Sequence, residues 1–157
     1  MEKLTFDTGI REYDINGKGV LRFNPSDPNV YERFYQAVDE LEQMERELTE
    51  TDTSGLEGQA IAAENLRLLT EADRKTKQAL DRVFGPPNDF NALLEGVNLM
   101  AVATNGERVV TNLLAALTPI IEQGAQECAR QNADAAVQQA TANRAARRAA
   151  ARGTATK

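Results

Sequence analysis

The stretch Leu21-Arg22-Phe23-Asn24-Pro25-Ser26-Asp27-Pro28-Asn29-Val30-Tyr31-Glu32-Arg33-Phe34 divides the chain into two regimes. Before it apolar residues alternate with polar ones; after it they recur every three or four residues. The junction carries a helix-start signal. Asp27 can accept from the unbonded amides of a first turn, and Pro28 has the φ that position needs and no N–H to leave unpaired. Val30, Phe34, Val38, Leu41 and Leu48 then form one stripe, broken only by Glu45. The spacing predicts a helix from 28 to 50, roughly 34 Å long at about 1.5 Å per residue.

Upstream, Leu4 and Phe6, Tyr13 and Ile15, and Leu21 and Phe23 place one buried face on three short strands. Asn16-Gly17 lies between the second and third, and both residues accept the positive φ of a tight hairpin turn. Thr8-Gly9 offers a weaker turn between the first and second. The expectation is a β-hairpin or a three-strand meander over residues 1–24. Asp14 to Gly19 faintly resembles the start of a calcium loop, but the twelfth position is Pro25 where a glutamate is needed, so the hairpin reading stands.

Downstream, Thr51-Asp52-Thr53-Ser54-Gly55 breaks the first helix, and Ser54 with Glu57 has capping-box spacing for a second. Ala62, Leu66, Leu69, Thr76, Leu80 and Val83 share its inner face, and Gly85-Pro86-Pro87 ends it. The short connection makes these two helices an antiparallel pair. Asn88 is placed to cap a short helix over 89–95, Val97 to Thr104 reads as an ordered connector, and a third long helix starts near Glu107. Val110, Leu114, Leu117, Ile121, Gly124 and Cys128 form its heptad-like stripe, with Pro119 removing one backbone bond. From Ala133 to Arg152 alanine dominates without Gly or Pro. Helix propensity is high there but little can be buried, so the end is expected to be helical or disordered. The reading is mainly α: one domain over 1–131 and an Ala/Arg-rich tail over 132–157.

The chain has no histidine, which removes the triads, the His-based metal sites and the usual neutral-pH proton shuttle. No P-loop or Gly-rich dinucleotide fingerprint occurs, and the carboxylates read as solvated helix faces. These patterns predict no catalytic, cofactor or metal site and no enzyme. No apolar run is long enough to span a bilayer or to serve as a leader, and Cys128 alone cannot close an internal disulfide, so a soluble cytosolic protein is expected.

Charge is strongly divided. Residues 141–157 hold Arg144, Arg147, Arg148, Arg152 and Lys157 and no acid, a charge of +5, which leaves −11 on the rest of a chain whose net charge is −6. Residues 32–57 concentrate nine acids against Arg33 and Arg46. On a helix Arg144, Arg148 and Arg152 stack one turn apart with Arg147 beside them. That stripe fits a solvated end, docking on an acidic protein surface, or phosphate contact. The last is disfavoured, since no aromatic residue interleaves the arginines and the acidic body repels nucleic acid. The stripe through Val110, Leu114, Leu117 and Ile121 fits intramolecular core or, as a second reading, a partner-binding face.

Taken together, Asp14-Ile15-Asn16-Gly17, the Leu21-to-Pro28 junction, Val83-Phe84-Gly85 and Leu113-Leu114-Ala115-Ala116-Leu117-Thr118-Pro119-Ile120-Ile121 resemble the small tail assembly chaperones of long-tailed phages and prophages of Gram-positive bacteria, which are encoded before the tape-measure protein. The resemblance covers residues 4 to about 125. It implies a non-enzymatic protein of the host cytoplasm that binds the tape-measure protein, possible contact with the tail-tube protein, possible self-association, no membrane, and absence from the mature virion. The candidate shielding surface is the exposed apolar edges of the hairpin, the helix 107–131 and the basic tail, with Val110, Leu114, Leu117, Ile121, Arg144, Arg147, Arg148 and Arg152 as the expected partner-binding residues. A structural tail or head-completion component and a small nucleic-acid-binding regulator are the alternatives.

Overall fold

The computed structural model describes residues 1–51 and 54–155, so Asp52 and Thr53 of the predicted break and Thr156 and Lys157 of the tail lie outside the described residues. The elements run β1 (Arg11–Ile15), β2 (Gly19–Phe23), α1 (Pro28–Glu50), α2 (Gln59–Phe84), α3 (Phe90–Leu93) and α4 (Val109–Ala155). The chain is mainly helical with an N-terminal β-hairpin.

The two strands pair antiparallel from Arg11 opposite Phe23 to Ile15 opposite Gly19. Asn16 and Gly17 take φ of 54° and 72°, and Lys18 N–H donates to Ile15 O at 3.0 Å to close the turn. Leu21 and Phe23 point into the core, and Tyr13 stacks on Phe23 with ring centroids 5.0 Å apart. The third strand of the meander does not form. Gly9 does bend at φ 70°, but the bend brings Thr8 O to the Asn24 side-chain amide (3.0 Å) and does not turn the chain back onto β1. Leu4 and Phe6 are therefore left exposed.

The outer edge of β2 is covered by a side chain. Asn88 Oδ1 accepts from Arg22 N–H at 2.9 Å, and its Nδ2 donates to Arg22 O at 2.7 Å and to Gly85 O at 3.0 Å. Its buried amide thus pairs with both backbone groups of one strand residue, as a neighbouring strand would. The cap that the sequence assigned to Asn88 is made by Asp89, whose Oδ1 accepts from Ala92 N–H at 3.1 Å. The helix it starts is a single turn, shorter than the predicted 89–95.

Helix α1 has the predicted bounds. Asp27 Oδ1 accepts from Asn29 N–H at 2.9 Å, Pro28 is the first helical residue, and Val30, Phe34, Ala37 and Leu41 are buried. Helix α2 runs antiparallel to it: Arg33 Nε donates to Val83 O at 3.1 Å, while Met44 and Leu48 lie with Leu68 and Ala72. Thr76, Leu80 and Val83 are buried as predicted. Ala62 and Leu66 are exposed, because the first turns of α2 reach past the end of α1. The Ser54–Glu57 box does not cap α2; Gly58 precedes its first residue without a side-chain cap bond.

A buried ion pair ties the irregular segments to α2. Lys77 Nζ meets Asp73 Oδ2 at 3.0 Å and Asn91 Oδ1 of α3 at 3.2 Å, and Asp73 Oδ1 accepts from Leu99 N–H at 2.7 Å. The connector is ordered as expected, with Leu99 and Met100 in the core.

The predicted third helix and the tail form one 47-residue helix, α4, which runs on through Pro119. It lies antiparallel to α1, with Arg108 near Glu45 (3.9 Å), Tyr35 bonded to Glu122 (2.7 Å) and Gly124 against the turn that starts α1. A Cβ built on Gly124 would overlap the Pro25 carbonyl oxygen.

Two outcomes follow from this packing. Gly124→Ala gains helix propensity of about 1 kcal/mol yet must displace backbone, so the net effect is a loss on the order of 1–3 kcal/mol in urea unfolding. Gly153→Ala, with open space around it, gains propensity without a clash and should show no such loss. Asn88→Ala strands both backbone groups of Arg22 and lowers stability by about 2–3 kcal/mol, with early loss of hydrogen-exchange protection across the hairpin.

Candidate interaction surfaces

Among the described residues no group of three or more His, Cys, Asp or Glu is placed to hold a metal, and no helix is long and apolar enough to cross a membrane. The features that can meet a partner are three surfaces, each produced by how a segment of sequence is left over from the core.

The first is the distal part of α4. Its alanines favour helix through low side-chain entropy loss, so the helix continues after packing stops. Every residue from Ala129 to Thr154 is exposed, a rod of about 39 Å at about 1.5 Å per residue. Arg144, Arg147 and Arg148 lie along one side, with Arg152 one turn further on. Helical geometry puts Ala135, Ala142, Ala146 and Ala149 on the opposite side. Val137, 65% exposed, is the largest apolar side chain on the rod.

The second is the N-terminal arm, residues 1–10. It is anchored where Asn24 meets Thr8, and Arg11 lies 3.7 Å from Glu127 at the point where α4 leaves the body. Leu4 (87% exposed), Phe6 (74%) and Ile10 (57%) stand outside the core cluster.

The third is the outward face of α1. The core stripe of α1 occupies one side; Glu32, Asp39, Glu42, Glu47 and Glu50 are all exposed on the other. Asp39 also borders a groove of about 810 Å³ between α1 and α2, floored by Met44 and flanked by Lys75 and Arg82. A smaller apolar cavity of about 180 Å³ lies between α1 and α4, lined by Val38, Leu41, Met100 and Leu114 among others.

The sequence-predicted binding residues separate into two groups. Val110, Leu117 and Ile121 are buried and Leu114 is half-buried against the same core, so this stripe is occupied by intramolecular packing. Arg144, Arg147, Arg148 and Arg152 are all exposed. Cys128 is half-buried at the last turn that touches the body. The sequence reading placed an apolar edge in the N-terminal region but read Leu4 and Phe6 as a buried strand face, so it did not foresee the exposed arm. Its alternation was visible, but nothing in it told whether a strand partner existed.

Where α4 leaves the body, Tyr35 OH donates to Glu122 Oε1 at 2.7 Å. This bond to the carboxylate, with desolvation and the Glu122 charge adding to it, pushes the Tyr35 phenol from its ordinary 10.0 up to about 12.

Comparison with family models, with curated proteins and with solved structures finds no match to this chain.

The raised phenol pKa has a definite pH signature. The folded state holds this proton more tightly than the unfolded chain, so the contribution is complete below about pH 10 and is lost as pH rises toward 12. Absorbance titration near 295 nm should show a late-ionising tyrosine that Tyr35→Phe removes, and the variant's stability deficit should shrink across that same interval.

Proposed function

We propose that this chain is a non-enzymatic assembly chaperone of a long-tailed phage, which binds the tape-measure protein in the host cytoplasm and keeps it soluble until tail-tube protein assembles around it. The observation that carries the reading is the pairing of two extended, unoccupied elements at one end of the body: the exposed arm with Leu4, Phe6 and Ile10, and the α4 rod. Three large apolar side chains left exposed on one ten-residue segment suit a surface that meets a partner. The resemblance over residues 4 to about 125 supplies the identity of the client.

The chemistry suits a temporary cover. A long helical client has an apolar stripe with no partner before assembly. Leu4, Phe6, Ile10 and Val137 can cover such a stripe, and the alanine side of the rod lets a second helix approach closely. The covered area per chain is modest, so tube subunits that bury more of the stripe can displace the chaperone.

Co-expression with the tape-measure protein encoded beside it tests this. The client should appear in the soluble fraction and co-purify with the tagged chain, and it should be insoluble without it. Leu4→Ser with Phe6→Ser, both at exposed positions, should reduce client solubility to the level seen without the chaperone while leaving the fold intact by circular dichroism. Client that is equally soluble in the absence of this chain, or the chain recovered in stoichiometric amounts from purified virions, would point to a structural tail component instead.

A further inference from the structure

The two strongly charged surfaces of this molecule lie at opposite ends: Arg144, Arg147 and Arg148 on the rod, and Asp39, Glu42, Glu47 and Glu50, with Arg46 among them, on α1. Helix α4 passes Glu45 at residue 108, Tyr35 at residue 122 and Arg11 at residue 127, and so leaves the body beside the start of α1. Arg144 is then about 26 Å beyond Glu127 along the helix axis. The acids at Asp39, Glu42, Glu47 and Glu50 lie toward the other end of α1. A continuous helix cannot fold back to reach them. Among the described residues, Arg144, Arg147 and Arg148 enter no ion pair, and neither do Asp39, Glu42, Glu47 and Glu50.

We propose that the Arg144–Arg147–Arg148 side of α4 in one copy docks on the outward acidic face of α1, at Asp39, Glu47 and Glu50, in a second copy, joining chains head to tail. Three observations select a second copy as the occupant. Both sets recur at helical spacing: Arg144 and Arg148 lie one turn apart with Arg147 beside them, and Asp39 and Glu50 fall on one side of α1 with Glu47 beside them. The last turn of α1 has no basic residue and carries Glu47 and Glu50 where the helix dipole already concentrates negative charge, so an external cation gains from both. The −11 carried outside residues 141–157 favours an arginine-bearing protein and disfavours a polyanion.

The geometry of the assembly follows. Each copy offers one rod and one acidic face at different places, so the contact is heterologous. It leaves a free rod at one end and a free face at the other unless the rotation closes a ring. The contact is mostly electrostatic and lies near solvent, so it weakens steeply with salt. It shares the rod with the client reading, but the arm residues take no part in it, and its test needs no client.

The test uses the purified full chain alone. Sedimentation velocity is measured in about 0.1 M and about 1 M salt, where the screening length is about 10 Å and about 3 Å. The wild type should form concentration-dependent oligomers at the lower salt and dissociate at the higher. The triple variants R144E/R147E/R148E and D39K/E47K/E50K should each sediment as monomers with unchanged helicity. Mixed in equal amounts they should reassociate, because each restores the charge its partner lost. The proposal is overturned by oligomers that persist at about 1 M salt, by mixed variants that stay apart, or by a wild type that stays monomeric at about 100 µM in the lower salt. It is also overturned if only the arginine variant changes behaviour and loses co-purifying material absorbing near 260 nm, which would assign the rod to nucleic acid. Loss of client solubility in co-expression leaves all of these outcomes unaffected.

Discussion

The close passage of Gly124 over the Pro25 carbonyl sets the position of everything downstream of it. With no side chain at that position, α4 can lie against the turn between β2 and α1, and it does so on the register set by Tyr35–Glu122 and Arg108–Glu45. Val110, Leu117 and Ile121 then close the core over Phe34 and Leu41. A larger residue at 124 would lift the helix away from the junction and loosen these contacts together. The same passage determines the direction in which the rod leaves the body. The separation of basic rod and acidic face is therefore a consequence of packing at one glycine, combined with a helix that does not stop when its core contacts do.

Apolar burial alone does not account for the irregular half of the molecule. The segment from Gly85 to Arg108 is held by side chains acting as backbone partners: Asn88 for Arg22, Asp81 for the amide of Phe90 (2.8 Å) and Asp73 for the amide of Leu99. Each satisfies a backbone group that would otherwise be buried without a partner, at a cost on the order of 1–3 kcal/mol. Lys77 adds a charge that is nearly as buried as the core, and it is tolerated because Asp73 and Asn91 both bond it. A buried pair of this kind contributes little net stability against an apolar substitute, but losing one partner costs about 3–5 kcal/mol. Its effect is to specify how α3 and the connector sit on α2. Thr76, one residue away, is fully buried with no hydrogen-bond partner for its hydroxyl among the described residues, so the surroundings of this network are not uniformly satisfied.

How far the sequence could be read depended on whether each signal was local. Asn16-Gly17 and Asp27-Pro28 encode their turn and cap in adjacent residues, and both form as read. Leu4 and Phe6 alternate like a strand, but pairing needs an edge elsewhere, which alternation cannot supply. Asn88 was read as a cap because the same amide that caps a helix can also pair with a strand edge; only its distance from Arg22 in three dimensions decides. The α4 stripe was legible as a stripe, yet the same periodicity serves core and interface, and the packing of α1 against it selects core for Val110, Leu117 and Ile121. The arginine spacing was legible too, since exposure needs no partner to be realised. The continuation of α4 to Ala155 was the open choice between helix and disorder.

That continuation links composition to the proposed behaviour of the rod. Alanine gives a helix without a side-chain entropy penalty, and it also gives a helix with little to bury. A leucine-rich rod of the same length would offer a strong apolar surface and would bind or aggregate tightly. The Ala/Arg rod instead presents charge that acts over about a Debye length and small side chains that permit close approach. Its contacts should therefore form quickly through electrostatic attraction and separate readily, because little apolar area is lost on release. The proposed cover of a client and its later displacement would need that balance. In the two proposals the apolar arm meets an apolar stripe and the arginines meet charge, and the fold carries arm and rod on different segments that emerge at the same end of the body.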